Sequence, residues 1–174
     1  MSSFHRKRNR LPQNSYLGRQ IYFVTICSEH RRSVFTHSRL VALLLDVLQT
    51  KCSVHSFNVY AFCFMPDHIH LVLLGVSDHS DLIALLRDFK GTSAARARVQ
   101  GFVVLWQKGF YDQVLRSGEA LDAVAWYIFN NPVRAGLTKE MGEWPYSGSG
   151  LIDWKKLTAP MREFLPPWKK AVAG

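Results

Sequence analysis

The fold of this chain is decided by residues 57–75, which read FNVYAFCFMPDHIHLVLLG. Both halves of the stretch are rich in the β-branched, aromatic and aliphatic side chains that strands favour. Pro66 and Asp67 interrupt it, because proline cannot donate a hydrogen bond within a central strand and the pair favours a tight turn. The stretch therefore predicts a hairpin of two strands, residues 57–65 and 68–74.

One strand and one helix precede this hairpin. Residues 20–27 are β-branched and aromatic, which predicts a first strand. Between residues 39 and 51 the leucines and valines recur at helical spacing, which predicts a helix with one buried face. Ser38 is expected to cap the N-terminus of that helix.

A second helix and a fourth strand follow the hairpin. Ser80 or Asp81 is expected to start the helix, and Gly91 weakens its middle because glycine is a poor helix former. The fourth strand is expected between residues 103 and 115. The resulting order β-α-β-β-α-β predicts an α+β, ferredoxin-like (split βαβ) fold with an antiparallel sheet.

A third helix and an irregular tail are added to this framework. Ser117 is placed to cap the helix, Glu119 to interact favourably with its dipole, and Pro132 is expected to end it. Periodicity fades after the helix. The predicted organisation is a basic arm over residues 1–19, a domain over residues 20–142 and a C-terminal tail over residues 143–174 that packs on the domain.

The composition favours one basic globular domain. The 174 residues are 48% hydrophobic, which suffices for one core and excludes an intrinsically disordered chain. A net charge of +9 favours a polyanionic partner: a nucleic acid, an acidic membrane or an acidic protein. Three cysteines without CxxC spacing argue against a disulfide framework and a structural zinc site, which predicts a reduced, cytosolic compartment. No apolar run approaches the roughly 20 residues that span a bilayer.

Two histidines lie two positions apart in the third predicted strand. His68 and His70 project from the same face of a strand, while Ile69 points to the opposite face. Two neighbouring imidazoles can chelate one metal ion. The alternative is a pair of partly exposed histidines on a sheet with no ligand.

A tyrosine and an asparagine share one face of the third predicted helix. Tyr127 and Asn131 are at positions i and i+4, one turn apart. If that face packs across the histidines, the Asn131 amide oxygen can bind the same metal ion and the Tyr127 hydroxyl can face whatever the metal holds. The alternative is that Asn131 caps the end of the helix and Tyr127 is a core aromatic residue.

This donor set suits phosphate chemistry. A site with neutral ligands leaves the charge of Mg²⁺ or Mn²⁺ available for a phosphodiester. A tyrosine hydroxyl can attack phosphorus and form a phosphotyrosine, which conserves the bond energy for rejoining. Tyr127 is the predicted nucleophile. Tyr111 is the strongest rival, but it lies in or beside a strand and lacks a ligand-type residue one helical turn away.

Two segments resemble the HUH single-tyrosine transposases. Residues 66–72 resemble the histidine-hydrophobic-histidine motif of that family, and residues 126–137 resemble its nucleophile helix. Shorter matches lie at residues 22–25, 106–107 and 144–147, so that the resemblance spans roughly positions 16 to 150. It is closest to the REP-associated tyrosine transposases.

The resemblance implies a metal-dependent single-stranded DNA endonuclease and strand transferase that acts beside a hairpin through a 5′-phosphotyrosine. By position, His68 and His70 bind Mg²⁺ or Mn²⁺ and Tyr127 is the nucleophile. Asn131 stands where insertion-sequence relatives usually have glutamine as the third ligand. The implied partner is single-stranded DNA with REP-like hairpins. The implied location of the protein is the bacterial cytoplasm, on the nucleoid when it is bound to DNA. Relatives include monomers and homodimers.

Basic side chains are the candidates for DNA contacts, because each phosphate contact releases counterions. The set comprises Arg6, Lys7, Arg8, Arg10, Arg31, Arg32, Lys90, Arg96 and Arg98. The first four form the N-terminal arm, for which a solvated tail is the alternative. For the whole chain, the alternatives are a non-catalytic nucleic-acid-binding module on the same fold and a relative that binds hairpins without cutting them.

Overall fold

The regular elements follow the predicted order, with one added strand near the end. The computed structural model describes residues 12–103, 105–116, 121–153 and 156–167. The strands are β1 (Ile21–Cys27), β2 (Phe57–Met65), β3 (His68–Gly75), β4 (Tyr111–Val114) and β5 (Ser147–Gly148). The helices are α1 (Ser38–Val54), α2 (Leu82–Val99) and α3 (Leu121–Arg134). A 3-10 turn, Glu29–Arg31, follows β1.

The strands form one antiparallel sheet in the order β4-β1-β3-β2-β5. β3 pairs with β1 on one side and with β2 on the other, so that His70 lies opposite Thr25 and Cys63. The first four strands have the arrangement of a split βαβ unit, in which β3 inserts between β1 and β2. The predicted α+β, ferredoxin-like fold with an antiparallel sheet is confirmed.

The two faces of the sheet carry different layers. Side chains of β1 alternate between them: Tyr22, Val24 and Ile26 pack with α1 and α2, whereas Phe23 packs with α3. His70 stacks on Phe23 and therefore lies on the α3 face. Parts of the tail, including Phe164, pack against the apolar side chains on this α3 face of the sheet. The sheet thus separates the predicted metal-binding histidines from α1 and α2.

Two predicted helix boundaries were wrong. Ser38 is the first residue of α1, and His37 occupies the cap position with no side-chain hydrogen bond. Pro132 does not end α3, which continues to Arg134. Proline at this point removes only its own N–H from the helix, while Ala135 and Gly136 still donate to carbonyls of the last turn.

The other boundaries agree with the sequence or lie outside the described residues. Asp81 caps α2 by accepting from the Ala84 amide at 3.0 Å, and the helix runs through Gly91 without a break. The tail is not wholly irregular, since β5 pairs with β2. The predicted roles of Ser117 and Glu119 fall outside the described residues, as do residues 1–11 of the N-terminal arm. The rest of the arm is described: Gln13–Tyr16 forms a 3-10 turn, and Tyr16 is buried in the core. Within the described residues, no helix is both long and apolar enough to cross a bilayer.

Two glycines should respond oppositely to alanine. A Cβ at Gly75 would lie 2.2 Å from the Gly18 carbonyl oxygen, so Gly75→Ala forces the backbone apart and should lower the unfolding free energy by about 1–3 kcal/mol. A Cβ at Gly91 would have no neighbour within 4 Å, so Gly91→Ala should raise the unfolding free energy by about 0.5–1 kcal/mol. Urea unfolding of the two variants measures both changes. Equal effects of the two substitutions would contradict this packing.

Candidate functional site

The two histidines of β3 converge. His68 and His70 project from the same face, and their Nε2 atoms lie 3.1 Å apart. Their ring centroids are 4.6 Å apart, and the planes are nearly perpendicular at 81°. His70 is buried and His68 is partly buried. The alternation of the strand brings these two side chains together, as the sequence predicted.

Each imidazole is oriented through its other nitrogen. His68 Nδ1 lies 2.6 Å from Asp67 Oδ1, and His70 Nδ1 lies 2.7 Å from Thr25 Oγ1. An ionised carboxylate only accepts, so His68 carries a proton on Nδ1, and in the neutral imidazole the Nε2 lone pair is available. His70 reaches the same tautomer when its Nδ1 donates to the Thr25 hydroxyl. These outer hydrogen bonds are the kind that orient metal-binding histidines.

Asp67 is held between two partners. Its Oδ1 accepts from His68, and its Oδ2 lies 2.8 Å from Nε of Arg31. Burial acts to raise the pKa of Asp67, but the hydrogen bond and charge of His68, followed by the charge of Arg31, bring that pKa below its ordinary value. The carboxylate therefore stays ionised well into acidic pH.

Tyr127 packs against the histidine pair. Its ring centroid lies 5.8 Å from that of His70 and 5.9 Å from that of Phe23. The ring is further covered by Phe164, at 5.5 Å, and by the guanidinium of Arg134, at 5.4 Å. Only 2% of the tyrosine is exposed. Helix α3 thus brings the predicted nucleophile beside the predicted metal-binding residues, in an enclosed position.

Asn131 follows one turn later and is also buried. Its amide nitrogen donates to the Tyr127 carbonyl at 2.8 Å. This bond fixes the side chain along α3 and leaves the amide oxygen as the atom that can coordinate a metal ion. Its role as the third ligand stays a prediction.

The donor set fits a divalent cation. Neighbouring ligands of an octahedral ion at 2.0–2.1 Å are roughly 3 Å apart, which is close to the 3.1 Å between the two Nε2 atoms. Within the described part of the chain, no group of three or more histidine, cysteine or acidic side chains is placed to hold a metal ion. A metal at this point would therefore rely on His68, His70 and a neutral donor such as the Asn131 amide oxygen.

The other tyrosines have different surroundings. Burial, followed by the charge of Asp81, raises the pKa of Tyr22 to about 12. Burial and a hydrogen bond to Asp122 raise the pKa of Tyr60 to about 12. Tyr111 lies opposite Thr25 in the sheet, one strand farther from His70, and is 46% exposed. Tyr111 therefore stays the strongest rival to Tyr127.

The predicted DNA-binding residues occupy several places. Arg31 and Arg32 lie in or next to the turn after β1, close to Asp67. Lys90 is half-buried and donates to the carbonyls of Gln107 and Gly109, and burial lowers its pKa despite the raising effect of Cys27 and Glu29. Lys90 thus holds the segment before β4.

Two predicted DNA-binding residues lie away from the histidines. Arg96 and Arg98 belong to α2, on the opposite face of the sheet, and Arg96 is paired with Asp46 of α1 at 2.6 Å. The four basic residues of the arm fall outside the described residues. The DNA contacts of the whole set stay predictions; among its described members, Arg31 contacts Asp67, whose carboxylate in turn contacts His68.

Three side chains around the histidines were not singled out by sequence reasoning. Asp67 was interpreted only as part of a turn, although its place directly before His68 is the available signal. The contact of Thr25 with His70 can be identified only from the strand register, because the two residues are 45 positions apart in the sequence. Phe164 comes from the tail, where no periodicity indicated a contact with Tyr127.

One protein-family model matches more than half of the chain. Residues 17–131, more than half of the chain, match the family model described as Transposase IS200 like. That span includes both histidines, Tyr127 and Asn131.

Individual relatives agree with this match. A Haemophilus influenzae protein provisionally named a REP-associated tyrosine transposase is 28% identical over 142 residues, covering 73% of this chain and 78% of that protein. The REP-associated tyrosine transposase of Escherichia coli is 24% identical over 147 residues, covering 80% and 87%. A solved REP-associated tyrosine transposase bound to a REP hairpin superposes with a TM-score of 0.68 at 22% identity, covering 84% of this chain and 82% of that one. This last likeness shows a shared fold.

Proposed function

This chain belongs to the IS200-like transposase family, and we propose that it is a metal-dependent single-stranded DNA endonuclease and strand transferase. The substrate is DNA beside a REP-like hairpin, the ligand named for the structurally similar protein. The observation that carries the proposal is the packing of Tyr127 against His70, whose Nε2 faces that of His68. The ring that carries the proposed nucleophilic hydroxyl therefore packs beside the proposed nitrogen donors.

Tyr127 acts as the nucleophile. Its phenolic oxygen attacks phosphorus, the bond from phosphorus to the 3′ oxygen breaks, and the phenolic proton leaves to solvent. The 3′ oxygen takes up a proton and departs as a hydroxyl group, while the 5′ phosphate stays on the tyrosine. Attack by a 3′-hydroxyl on this phosphotyrosine reverses the step and joins the strands without an external energy source.

The histidines and the asparagine form the metal-binding part of the site. His68 and His70 would bind Mg²⁺ or Mn²⁺ through Nε2, and Asn131 through its amide oxygen. When bound, the ion supplies a Lewis acid that polarises the scissile phosphate. Asp67 and Thr25 keep the Nδ1 protons of the histidines in place, which keeps both Nε2 atoms available as donors.

Incubation with labelled oligonucleotides tests the proposal. The oligonucleotides are single-stranded, carry hairpins from repeats that flank the protein's own gene, and are incubated with Mg²⁺, Mn²⁺ or EDTA. We expect a covalent protein–DNA adduct on a denaturing gel with a divalent ion and none with EDTA. The released strand should end in a 3′-hydroxyl that a polymerase extends. Tight hairpin binding without an adduct under any ion would instead support a non-catalytic binding module.

Removal of Phe164 should accelerate adduct formation. Phe164 packs edge-on against both Tyr127 and Phe23, so we expect that this ring has to move before a DNA strand reaches the nucleophile. Phe164→Ala lowers the cost of that movement. A decrease of about 1.4 kcal/mol would raise the rate roughly tenfold; full burial of a phenylalanine contributes about 1.5–3 kcal/mol, and the partly buried Phe164 contributes part of this.

The neighbouring tail residue provides the control. Leu165 is 40% exposed, and Leu165→Ala should leave the rate near that of the wild type. Single-turnover adduct formation at saturating metal measures both variants. A Phe164→Ala rate equal to or below the wild-type rate would show that this ring does not limit access to Tyr127.

A further inference from the structure

Two turns meet at the edge of the histidine pair. The Ser28 amide donates to the Asp67 carbonyl at 2.9 Å, and the Phe35 amide donates to the Pro66 carbonyl at 3.0 Å. The Ser28 hydroxyl lies 3.0 Å from the same Asp67 carbonyl. These bonds fasten the turn that contains Arg31 to the turn that precedes His68.

Arg31 is held in place by both its backbone and its side chain. His30 and Arg31 have φ angles of 53° and 55°, a left-handed conformation that costs energy in residues other than glycine. The guanidinium is fixed by Nε, 2.8 Å from Asp67 Oδ2, and by Nη1, 2.8 Å from Cys27 Sγ. A strained backbone that persists at this point indicates that the surrounding contacts require it.

The guanidinium keeps donors for a further partner. It has five N–H groups, and the contacts with Asp67 and Cys27 use two of them. The side chain is 51% exposed, so the remaining donors can reach a ligand from solvent. A guanidinium held rigidly by other contacts binds phosphate oxygens with less loss of side-chain freedom than a flexible one.

We propose that Arg31 binds a backbone phosphate of the DNA strand beside the scissile bond, and that Asp67 is a positioning residue that holds both Arg31 and His68. One carboxylate oxygen orients the imidazole of His68, and the other orients the guanidinium. The phosphate clamp and the metal-binding nitrogen are thereby fixed relative to each other through one side chain. This inference rests on the proposed function, whose metal and nucleophile it leaves unchanged.

Asp67→Asn and Arg31→Gln separate the two roles. Asp67→Asn replaces one of the two acceptor oxygens with an NH2 donor, so the side that faces His68 or the side that faces Arg31 loses its acceptor. Arg31→Gln removes the phosphate-binding charge and leaves the contact between Asp67 and His68. Arg19 and Asp78 form an exposed pair with the same Nε–Oδ geometry at 3.1 Å, so Arg19→Gln and Asp78→Asn are matched controls.

Two binding measurements test the inference, and neither of them requires catalytic turnover. Affinity for the hairpin oligonucleotide is measured in EDTA at several salt concentrations, and affinity for Mn²⁺ alone is measured by electron paramagnetic resonance. Arg31→Gln should weaken oligonucleotide binding roughly tenfold and reduce the salt slope by about 0.7, the value for one phosphate on a single strand. It should leave Mn²⁺ affinity within about threefold of the wild type.

Asp67→Asn should affect both measurements, with Mn²⁺ affinity falling roughly 10- to 100-fold and the oligonucleotide affinity falling with it. In the double variant, the two losses of DNA affinity should be less than additive, because Arg31 acts through its contact with Asp67. The matched controls should change neither quantity. Thermal unfolding of each variant shows that it is folded under the binding conditions.

Each other outcome overturns the inference. An unchanged salt slope in Arg31→Gln would show that Arg31 does not contact a phosphate. An unchanged Mn²⁺ affinity in Asp67→Asn would show that Asp67 does not position His68. If the wild type forms a metal-dependent adduct while Arg31→Gln binds DNA normally, the inference fails and the proposed function stands. If the wild type forms no adduct, the proposed function fails, whereas the two affinities still decide the roles of Arg31 and Asp67.

Discussion

Tyr127→Phe should form no covalent adduct with single-stranded DNA. The substitution removes only the oxygen that attacks phosphorus, while the ring keeps its packing against His70 and Phe23. DNA affinity and Mn²⁺ affinity should therefore stay near the wild-type values. A denaturing gel of the variant with the hairpin oligonucleotide and Mn²⁺ measures the loss, and a filter-binding assay in EDTA measures the retained affinity.

Tyr111→Phe is the matched control for this result. Tyr111 lies in the same cross-strand row as Thr25 and His70 and is the best-placed rival nucleophile. Its variant should form the adduct at the wild-type rate. If Tyr127→Phe still forms the adduct and Tyr111→Phe does not, the nucleophile is Tyr111.

His70→Ala should abolish Mn²⁺ binding and slow cleavage by about 10³-fold. The imidazole contributes one of two converging nitrogens, and a lost Lewis acid forfeits several kcal/mol of transition-state stabilisation at about 1.4 kcal/mol for each factor of ten. His79→Ala removes an exposed histidine from the loop before α2 and should change neither quantity. Calorimetric titration with Mn²⁺ and single-turnover cleavage measure both effects.

The variant also leaves Thr25 without its imidazole partner in the buried sheet. His68→Ala removes the other nitrogen donor but keeps the buried contact between Thr25 and His70, and it therefore separates loss of the metal from loss of folding. Metal-dependent cleavage at the wild-type rate by a folded His70 variant would exclude the histidine pair as the metal site.

Local patterns predicted the fold well because they correspond to local physics. The interruption at Pro66 and Asp67 indicated the hairpin, and alternation along β3 indicated that His68 and His70 share a face. The errors at Ser38 and Pro132 concern single positions at helix ends. A serine can occupy the first helical turn as easily as the cap, and a proline in the last turn removes only one backbone donor.

The surroundings of the histidines were less predictable, because they depend on contacts between distant segments. Thr25 meets His70 only through the strand register, and the Arg31 side chain reaches Asp67 only after β1 and β3 are paired. Phe164 reaches Tyr127 from a tail segment that has no regular structure. Periodicity within one segment carries no information about such contacts. The family resemblance, by contrast, is confirmed by the match over residues 17–131.

Mass mapping of the DNA-linked peptide tests the central claim most directly. The wild-type protein is incubated with the hairpin oligonucleotide and Mn²⁺, digested with nuclease and protease, and searched for a peptide that carries a residual nucleotide. The account predicts one modified peptide with the phosphate on Tyr127. A phosphate on Tyr111 or any other tyrosine, or its absence under conditions that give cleaved DNA, would contradict Tyr127 as the nucleophile.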